Sequence, residues 1–135
     1  IGSRFVNKNP FKKDGMPFLR YLANKIFSKI TSFLLDINLS EFHTGFKLFS
    51  KNFHSKVPYE LNSNSYLFSF QIILQAKLFN LKTDEVSISS VYNDEVTSCN
   101  YFEGFIYLLR NFEIIILFFL AKFKIFNHSI FHVKK

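Results

Sequence analysis

The stretch Glu41–Lys47, which reads Glu-Phe-His-Thr-Gly-Phe-Lys, places several side chains that can do chemistry between two apolar segments. A carboxylate can hold a cation or accept a proton, an imidazole exchanges protons near neutral pH, and a hydroxyl donates or accepts a hydrogen bond. Polar groups of this kind, next to a glycine and an aromatic–basic alternation, need an explanation beyond a simple turn.

A second set of residues could bind phosphate. Gly2-Ser3-Arg4 reads as the end of a strand, and Arg20 and Asn24 lie one turn apart at the start of a predicted helix. The planar guanidinium fork of arginine matches the geometry of phosphate oxygens. The same residues also fit a solvated basic face, and the sequence contains neither a Gly-x-Gly-x-x-Gly motif nor a Walker loop.

Other chemistries find less support in the sequence. There is no cysteine pair for zinc, and His128 and His132 have no third ligand beside them. Cys99 reads as a spectator thiol, and the scattered acidic residues show no spacing that singles out an acid–base pair. The lysines are spread along the chain and the aromatic residues follow core periodicity, which disfavours nucleic acid as a partner.

The composition limits the class of protein to which this chain can belong. The chain has 135 residues, of which 48 % are hydrophobic, so one domain with a real core is expected. The net charge of +7 suits a polyanion, an anionic membrane surface or a phosphorylated substrate. A single cysteine cannot form an internal disulfide, which favours a reducing compartment.

The predicted elements alternate between strands and helices, which is an α/β pattern. After the strand end at Ile1–Arg4 we expect helices over 19–37, 66–79 and 102–126, a helical turn over 51–57, and strands over 46–50 and 81–92. The wholly apolar core of the last helix, Ile114–Leu120, is too short to span a bilayer. The first and last helices are amphipathic and flanked by basic residues, so they fit either a membrane interface or packing on a sheet.

Six short motifs then occur in a consistent order over residues 1–100. They are Ile1-Gly2-Ser3-Arg4, Gly15-Met16-Pro17, the Arg20 helix, Glu41-x-x-Thr44-Gly45-Phe46-Lys47, Glu85-Val86-Ser87-Ile88 and Tyr92-x-x-Glu95-x-Thr97-Ser98. In this order they resemble the C-terminal half of a family 2 glycosyltransferase of the GT-A fold. The similarity is to the branch that contains dolichol-phosphate mannose synthase and related bacterial cell-envelope transferases.

The resemblance implies roles for individual residues. Glu41, Thr44 and Gly45 would line the active-site cleft as catalytic residues, the glycine allowing close backbone approach. Arg4, Arg20 and Asn24 would face the phosphate of the acceptor. Further residues of the cleft would be Ser3, His43, Lys47 and Glu95.

The sequence also departs from the family pattern. Glu41 replaces the usual aspartate, and Ser65 and Ser69 stand where related bacterial sequences often carry aspartate. The nucleotide pocket and the metal-binding Asp-x-Asp of the family lie upstream of the matched region. We therefore expect this chain to be a fragment, with a divalent metal (Mg or Mn) held by residues upstream of it and no metal ligands of its own.

The resulting expectation is an α/β chain that forms the C-terminal part of the mixed sheet of a GT-A fold, with flanking amphipathic helices. Residues 1–100 would belong to the catalytic domain and 101–135 to an amphipathic, membrane-interface segment. The full protein would transfer a sugar from a nucleotide-sugar to a lipid-phosphate or cell-envelope glycan acceptor. It would be cytoplasmic and peripheral on the inner face of the membrane.

Two alternatives stay open. A non-enzymatic basic module could dock on anionic membranes through its amphipathic helices, and its binding would then not depend on Glu41, Arg4 or Arg20. An inactive transferase homologue would account for the serines at positions 65 and 69.

Replacement of Arg20 by alanine in the full-length protein should lower turnover strongly, because the resemblance assigns this guanidinium to the acceptor phosphate. Steady-state kinetics with saturating donor would measure the effect. Unchanged kinetics would remove Arg20 from the site.

Overall fold

The computed structural model describes residues 1–92 and 101–132. The helices are α1 (Pro10–Lys13), α2 (Phe18–Leu35), α3 (Lys51–Lys56), α4 (Leu67–Leu78) and α5 (Tyr101–Lys122), with 3₁₀ turns at Tyr59–Leu61 and Ser129–Phe131. The strands are β1 (Gly2–Ser3) and β2 (Val86–Ser87). These form two compact units: unit 1 comprises residues 1–48 and 84–92, and unit 2 comprises residues 49–83 and 101–132.

The predicted fold class is wrong. Most of the described residues are helical, and the sheet they form is a single parallel pair with Gly2 opposite Val86 and Ser3 opposite Ser87. This is not the mixed sheet of a GT-A fold. The three predicted helices are confirmed as α2, α4 and α5, and the predicted helical turn over 51–57 is confirmed as α3. The strand end at Ile1–Arg4 is confirmed as β1.

No strand forms over 46–50, because a nearby side chain takes the Phe46 N–H and the described bond to β1 uses the Phe46 carbonyl alone. The Phe46 N–H donates to the Thr44 hydroxyl at 3.2 Å, and the Phe46 carbonyl accepts from the Gly2 N–H at 2.9 Å. Ser50 instead caps α3, its hydroxyl accepting from the Phe53 N–H at 3.2 Å. Side chains that satisfy nearby N–H groups compete with ladder pairing.

The predicted strand over 81–92 is reduced to Val86–Ser87 for a similar reason. The Asp84 carboxylate accepts from the Glu85 N–H at 2.9 Å, so this N–H is used locally. The Val86 N–H donates to the Ile1 carbonyl at 2.9 Å and the Ile88 N–H donates to the Ser3 carbonyl at 3.0 Å. These two bonds are the parallel ladder that connects β1 to β2.

Unit 2 is built around α4, most of whose residues are buried. Phe53 and Val57 pack with Ile72 and Ala76 in one apolar cluster. The amide of Gln75 is fully buried and exchanges two hydrogen bonds with Asn62, each 2.8 Å long, which offset the cost of removing its polar atoms from water.

Among the described residues, one helix is long and apolar enough to span a membrane, namely Phe102–Lys122, with 21 residues and a mean hydropathy of 1.8. The prediction from the sequence rested on the apolar core at 114–120 alone, which is too short to span a bilayer. The apolar helix in the structure is longer than that core. Part of it is buried within unit 2, including Ile114, Ile115 and Phe118. Core helices of soluble proteins share this length and composition, so the helix alone does not indicate a membrane.

Replacement of Gly2 by alanine should lower the free energy of unfolding by about 1–3 kcal/mol, as overpacking of a core does. A Cβ at this position would lie 2.9 Å from side-chain atoms of Ile88 and Phe46. Gly45→Ala is the matched control, since no heavy atom lies within 4 Å of its Cβ position. Urea unfolding measures both variants, and equal stabilities would contradict the close packing at Gly2.

Candidate functional site

The predicted site residues of unit 1 meet around the carboxylate of Glu41. This side chain is fully buried, and one oxygen accepts from the Arg4 backbone N–H at 2.7 Å. The other oxygen accepts from Arg4 Nε at 2.7 Å and also from Arg4 Nη2, which forms a salt bridge. Two residues that lie far apart in the sequence therefore form a largely buried ion pair, in which two side-chain donors of Arg4 share one carboxylate oxygen.

Arg4 contacts one further residue, Tyr92, whose hydroxyl accepts from Nη1. Burial by itself lowers the pKa of Arg4, but the hydrogen bonds and charges of Glu41 and Tyr92 outweigh it and raise the pKa. The guanidinium is therefore permanently charged. Within residues 1–92 and 101–132, its hydrogen bonds use three of its five side-chain N–H donors.

Glu85 fixes the backbone that carries Glu41. Its carboxylate accepts from the Ser40 N–H at 2.8 Å, the Ser40 hydroxyl at 3.1 Å and the Glu41 N–H at 3.1 Å. The Ser40 hydroxyl also lies 2.7 Å from the Ser3 hydroxyl. These bonds join the 40–41 segment to both strands, and they explain why Ser3 is completely buried.

Arg4, Glu41 and Glu85 form a polar cluster. We define the rim of this cluster as Thr44, Gly45 and Lys47. Thr44 is buried and its carbonyl accepts from Lys47 Nζ. Burial lowers the pKa of Lys47 to about 8, although the charge of Glu41 acts in the opposite direction. Gly45 is exposed, and the space at its Cβ position is open. The predicted close approach of a ligand to this backbone is therefore sterically allowed.

His43 is held neutral at physiological pH. Its ring packs on Phe27 with 4.8 Å between the centroids. Burial lowers the pKa of His43 to about 3, with further contributions from the charges of Arg4 and Lys47. A neutral imidazole can accept a proton or a hydrogen bond, but it cannot supply positive charge to the site.

Arg20 and Asn24 lie one turn apart on α2 and are half-buried. The hydrogen bonds of Arg4 and Glu41 do not involve either of them. The structure thus brings together Arg4, Glu41, His43, Thr44 and Lys47, while the phosphate-binding role of Arg20 and Asn24 stays a prediction. Glu95 lies outside the described residues.

Three residues of the cluster were not assigned a site role from the sequence: Ser40, Glu85 and Tyr92. Glu85 and Tyr92 each begin a motif of the resemblance, which was the available signal. Their roles depend on contacts across 45 and 88 positions, respectively, which spacing along the chain does not reveal.

Ser65, one of the two departures from the family pattern, lies in unit 2 at the start of α4. Its hydroxyl accepts from the Leu67 N–H at 3.3 Å and lies 2.8 Å from the Ser63 hydroxyl. A serine here satisfies a helix N-terminus, as an aspartate would.

Residues 1–92 and 101–132 bring no three His, Cys, Asp or Glu side chains together as a metal site. The predicted divalent metal therefore has no fitting ligand set in this part of the chain. What the cluster offers instead is the guanidinium of Arg4 and the ammonium of Lys47, balanced by the carboxylates of Glu41 and Glu85, beside an exposed backbone at Gly45.

The comparisons with known proteins give one relative. Over 94 residues the chain is 31 % identical to a protein of Methanocaldococcus jannaschii named "Uncharacterized protein MJ1222". The match covers 70 % of this chain and 38 % of the relative, so the chain spans well under half of that protein. No family model matches the chain. No solved structure matches it either.

Replacement of His43 by glutamine should make the free energy of unfolding depend less strongly on pH below pH 6.5. The imidazole has an ordinary pKa of 6.5 when unfolded and about 3 when folded, so the unfolded chain binds the extra proton first. As the pH falls from 6.5 towards 3, this group should lower the free energy of unfolding by up to ~1.4 kcal/mol per pH unit.

Urea unfolding between pH 7 and pH 4 measures this slope. His54→Gln, at an exposed position on α3, is the control and should keep the slope of the wild type. Equal slopes in all three proteins would contradict a buried, neutral His43.

Proposed function

We propose that this chain is part of a glycosyltransferase that transfers a sugar from a nucleotide-sugar to an acceptor, which is either a lipid-phosphate or a cell-envelope glycan. The observation that carries the proposal is the Arg4–Glu41 ion pair with Lys47 beside it at an open backbone rim. These residues belong to two of the six motifs that resemble family 2 glycosyltransferases.

The reaction would be a displacement at the anomeric carbon of the sugar. With a lipid-phosphate as acceptor, an anionic oxygen of its phosphate attacks this carbon and forms the new bond, so no proton has to leave, and the nucleoside diphosphate departs with the electron pair of the broken bond. Arg4 and Lys47 would hold the acceptor phosphate, since both carry donors beyond their present contacts. Holding it in place converts an encounter into an oriented reaction.

Glu41 would act by positioning Arg4. Its two oxygens accept from the backbone and side chain of Arg4, so the guanidinium can adopt few other orientations. Thr44 supports the rim, since its carbonyl holds the Lys47 ammonium. Gly45 would let the acceptor approach the backbone, where a side chain would intrude.

The donor site and the divalent metal belong, in this proposal, to a longer protein. The catalytic domain of that protein would lie peripherally on the cytoplasmic face of a membrane, where a lipid-phosphate is presented. The apolar surface of α5 supports this location, since Phe105, Leu109 and Ile116 are more than half exposed.

The rival function is a non-enzymatic basic module that docks on anionic membranes. It is favoured by the net charge of +7 and the exposed apolar helix surfaces. It predicts salt-sensitive binding to vesicles that is unchanged when Glu41 or Arg4 is replaced.

The test uses the longer protein, a panel of radiolabelled nucleotide-sugars, Mg²⁺ and a polyprenyl phosphate in detergent micelles. Lys47→Gln should lower kcat/KM for the acceptor by about 10²-fold, the loss expected for one electrostatic contact to a reacting group. Lys51→Gln, on the exposed first turn of α3, should leave it unchanged.

Absence of sugar transfer with every donor, by a protein with an intact fold, would contradict the enzymatic proposal. Equal kinetics of the Lys47 and Lys51 variants would instead remove Lys47 from the acceptor site while leaving the transferase activity in place.

A further inference from the structure

Lys8 and Asp14 form an ion pair that the proposed function does not use. Lys8 Nζ donates to Asp14 Oδ2 at 2.6 Å, and the two side chains are only 10 % and 9 % exposed. Asp14 is the C-cap residue of α1 and directly precedes the Gly15-Met16-Pro17 motif. Because charges held this far from water need a partner, the pair closes the 8–14 segment into one loop.

The same carboxylate oxygen binds the chain that follows β2. Asp14 Oδ2 accepts from the Ser90 N–H at 3.4 Å and from the Ser90 hydroxyl at 3.3 Å. Lys8 Nζ lies 3.5 Å from the Ser89 hydroxyl oxygen. The ion pair therefore contacts two consecutive residues of the 89–92 segment.

Asp14 is ionised at neutral pH. Burial alone would raise the pKa of this carboxyl, but the hydrogen bonds from Lys8 and Ser90 and the charge of Lys8 lower the pKa below its ordinary value of 3.8. The contact with Ser90 is consequently charge-assisted, which makes it stronger than a hydrogen bond between neutral groups.

The 89–92 segment ends at Tyr92, the residue that binds Arg4. The Tyr92 hydroxyl accepts from Nη1 of Arg4, while Glu41 accepts from Nε and Nη2. Tyr92 therefore restrains a third nitrogen of the guanidinium. Because Ser90 lies two residues before Tyr92, a carboxylate that holds Ser90 limits how far the tyrosine can move from Arg4.

Gly15 adds a second contact to this segment. A Cβ at this position would lie 3.9 Å from the Tyr92 carbonyl oxygen, and the glycine has a φ of +74°, a conformation that other residues rarely adopt. The loop that carries Asp14 thus lies along the 89–92 segment from Ser89 to Tyr92.

We propose that Asp14 is a positioning residue for Arg4, which holds the 89–92 segment so that the Tyr92 hydroxyl stays against the guanidinium. The inference rests on the proposed function for the catalytic role of Arg4. The restraint on the guanidinium can be measured without catalysis, so each can fail without the other.

The side chain of Arg4 can be observed directly by ¹⁵N NMR. The chain contains three arginines, and Arg20→Lys and Arg110→Lys assign the side-chain signals by elimination. Tyr92→Phe should speed the exchange of the Arg4 Nη protons with water about tenfold, the loss expected for a hydrogen bond to a charged group.

Replacement of Asp14 by alanine should speed this exchange by a similar factor, because the 89–92 segment is then no longer held. Asp36→Asn removes the same charge from the exposed C-terminal end of α2 and should leave the rate unchanged. Lys8→Met with Asp14→Ala removes both charges of the ion pair, so no unpaired buried charge destabilises the fold. It should give the rate of Asp14→Ala, and far-UV circular dichroism checks that each variant is folded.

A double-mutant cycle separates positioning from a merely structural role. If Asp14 acts through Tyr92, Asp14→Ala should not increase the exchange rate of Tyr92→Phe any further. Independent effects would instead multiply to about 100-fold. In the longer protein, Asp14→Ala should lower kcat/KM for polyprenyl phosphate about tenfold through misplacement of Arg4, and KM for the nucleotide-sugar should stay the same.

Three results would overturn the proposal. The first is an Arg4 exchange rate in folded Asp14→Ala, or in the Lys8 and Asp14 double variant, that equals the wild-type rate. The second is a pair of Asp14 and Tyr92 effects that multiply. The third is an unchanged kcat/KM for the acceptor despite faster exchange. Absence of sugar transfer, with the exchange rates as expected, would contradict the proposed enzyme alone.

Discussion

The burial of the Glu41 carboxylate constrains the rest of unit 1. A carboxylate taken out of water must find a cation or be neutralised, and here the partner is the guanidinium of Arg4, directly after β1. Loss of one partner of a buried pair typically costs ~3–5 kcal/mol, because the other charge is left buried. The Arg4–Glu41 ion pair therefore accounts for the placement of the 40–41 segment, the strand pair and Tyr92.

A second carboxylate, that of Glu85, holds the backbone segment that carries Glu41. Glu85 accepts three hydrogen bonds from Ser40 and Glu41, so two acidic side chains act in different ways on the same segment. Glu85 fixes the backbone and Glu41 fixes the guanidinium. The cluster is consequently held by hydrogen bonds from two strands and a turn, while its rim at Gly45 is open.

The helices could be predicted from the sequence because their signal is local. Apolar residues recurring every three or four positions identified α2, α4 and α5 to within a few residues. The strands could not be predicted in the same way, since the alternation at 46–50 and 81–92 does not reveal that nearby side chains take the N–H groups. The predicted α/β class depended on those two strands. Because they were wrong or too long, the predicted fold class was wrong as well.

For the site, residue chemistry identified Arg4 and Glu41 but not that they bind each other. Their contact, like that of Arg4 with Tyr92, depends on how distant segments meet. The periodicity of α2 indicated an amphipathic helix, yet periodicity does not state which face is buried. The inward direction of Ser28 and Thr31 is a property of packing that a single sequence does not carry.

The parallel pair of β1 and β2 has a consequence for the order of folding. The backbone nitrogen of Ile1 donates to the carbonyl of Asp84, 83 positions along the chain, and residues 49–83 of unit 2 lie between the two strands in the sequence. During synthesis β1 must therefore wait until the whole of α4 has been made before its partner strand exists. Because the entropy of closing such a long loop is lost before the contact is gained, unit 1 is expected to close late and slowly.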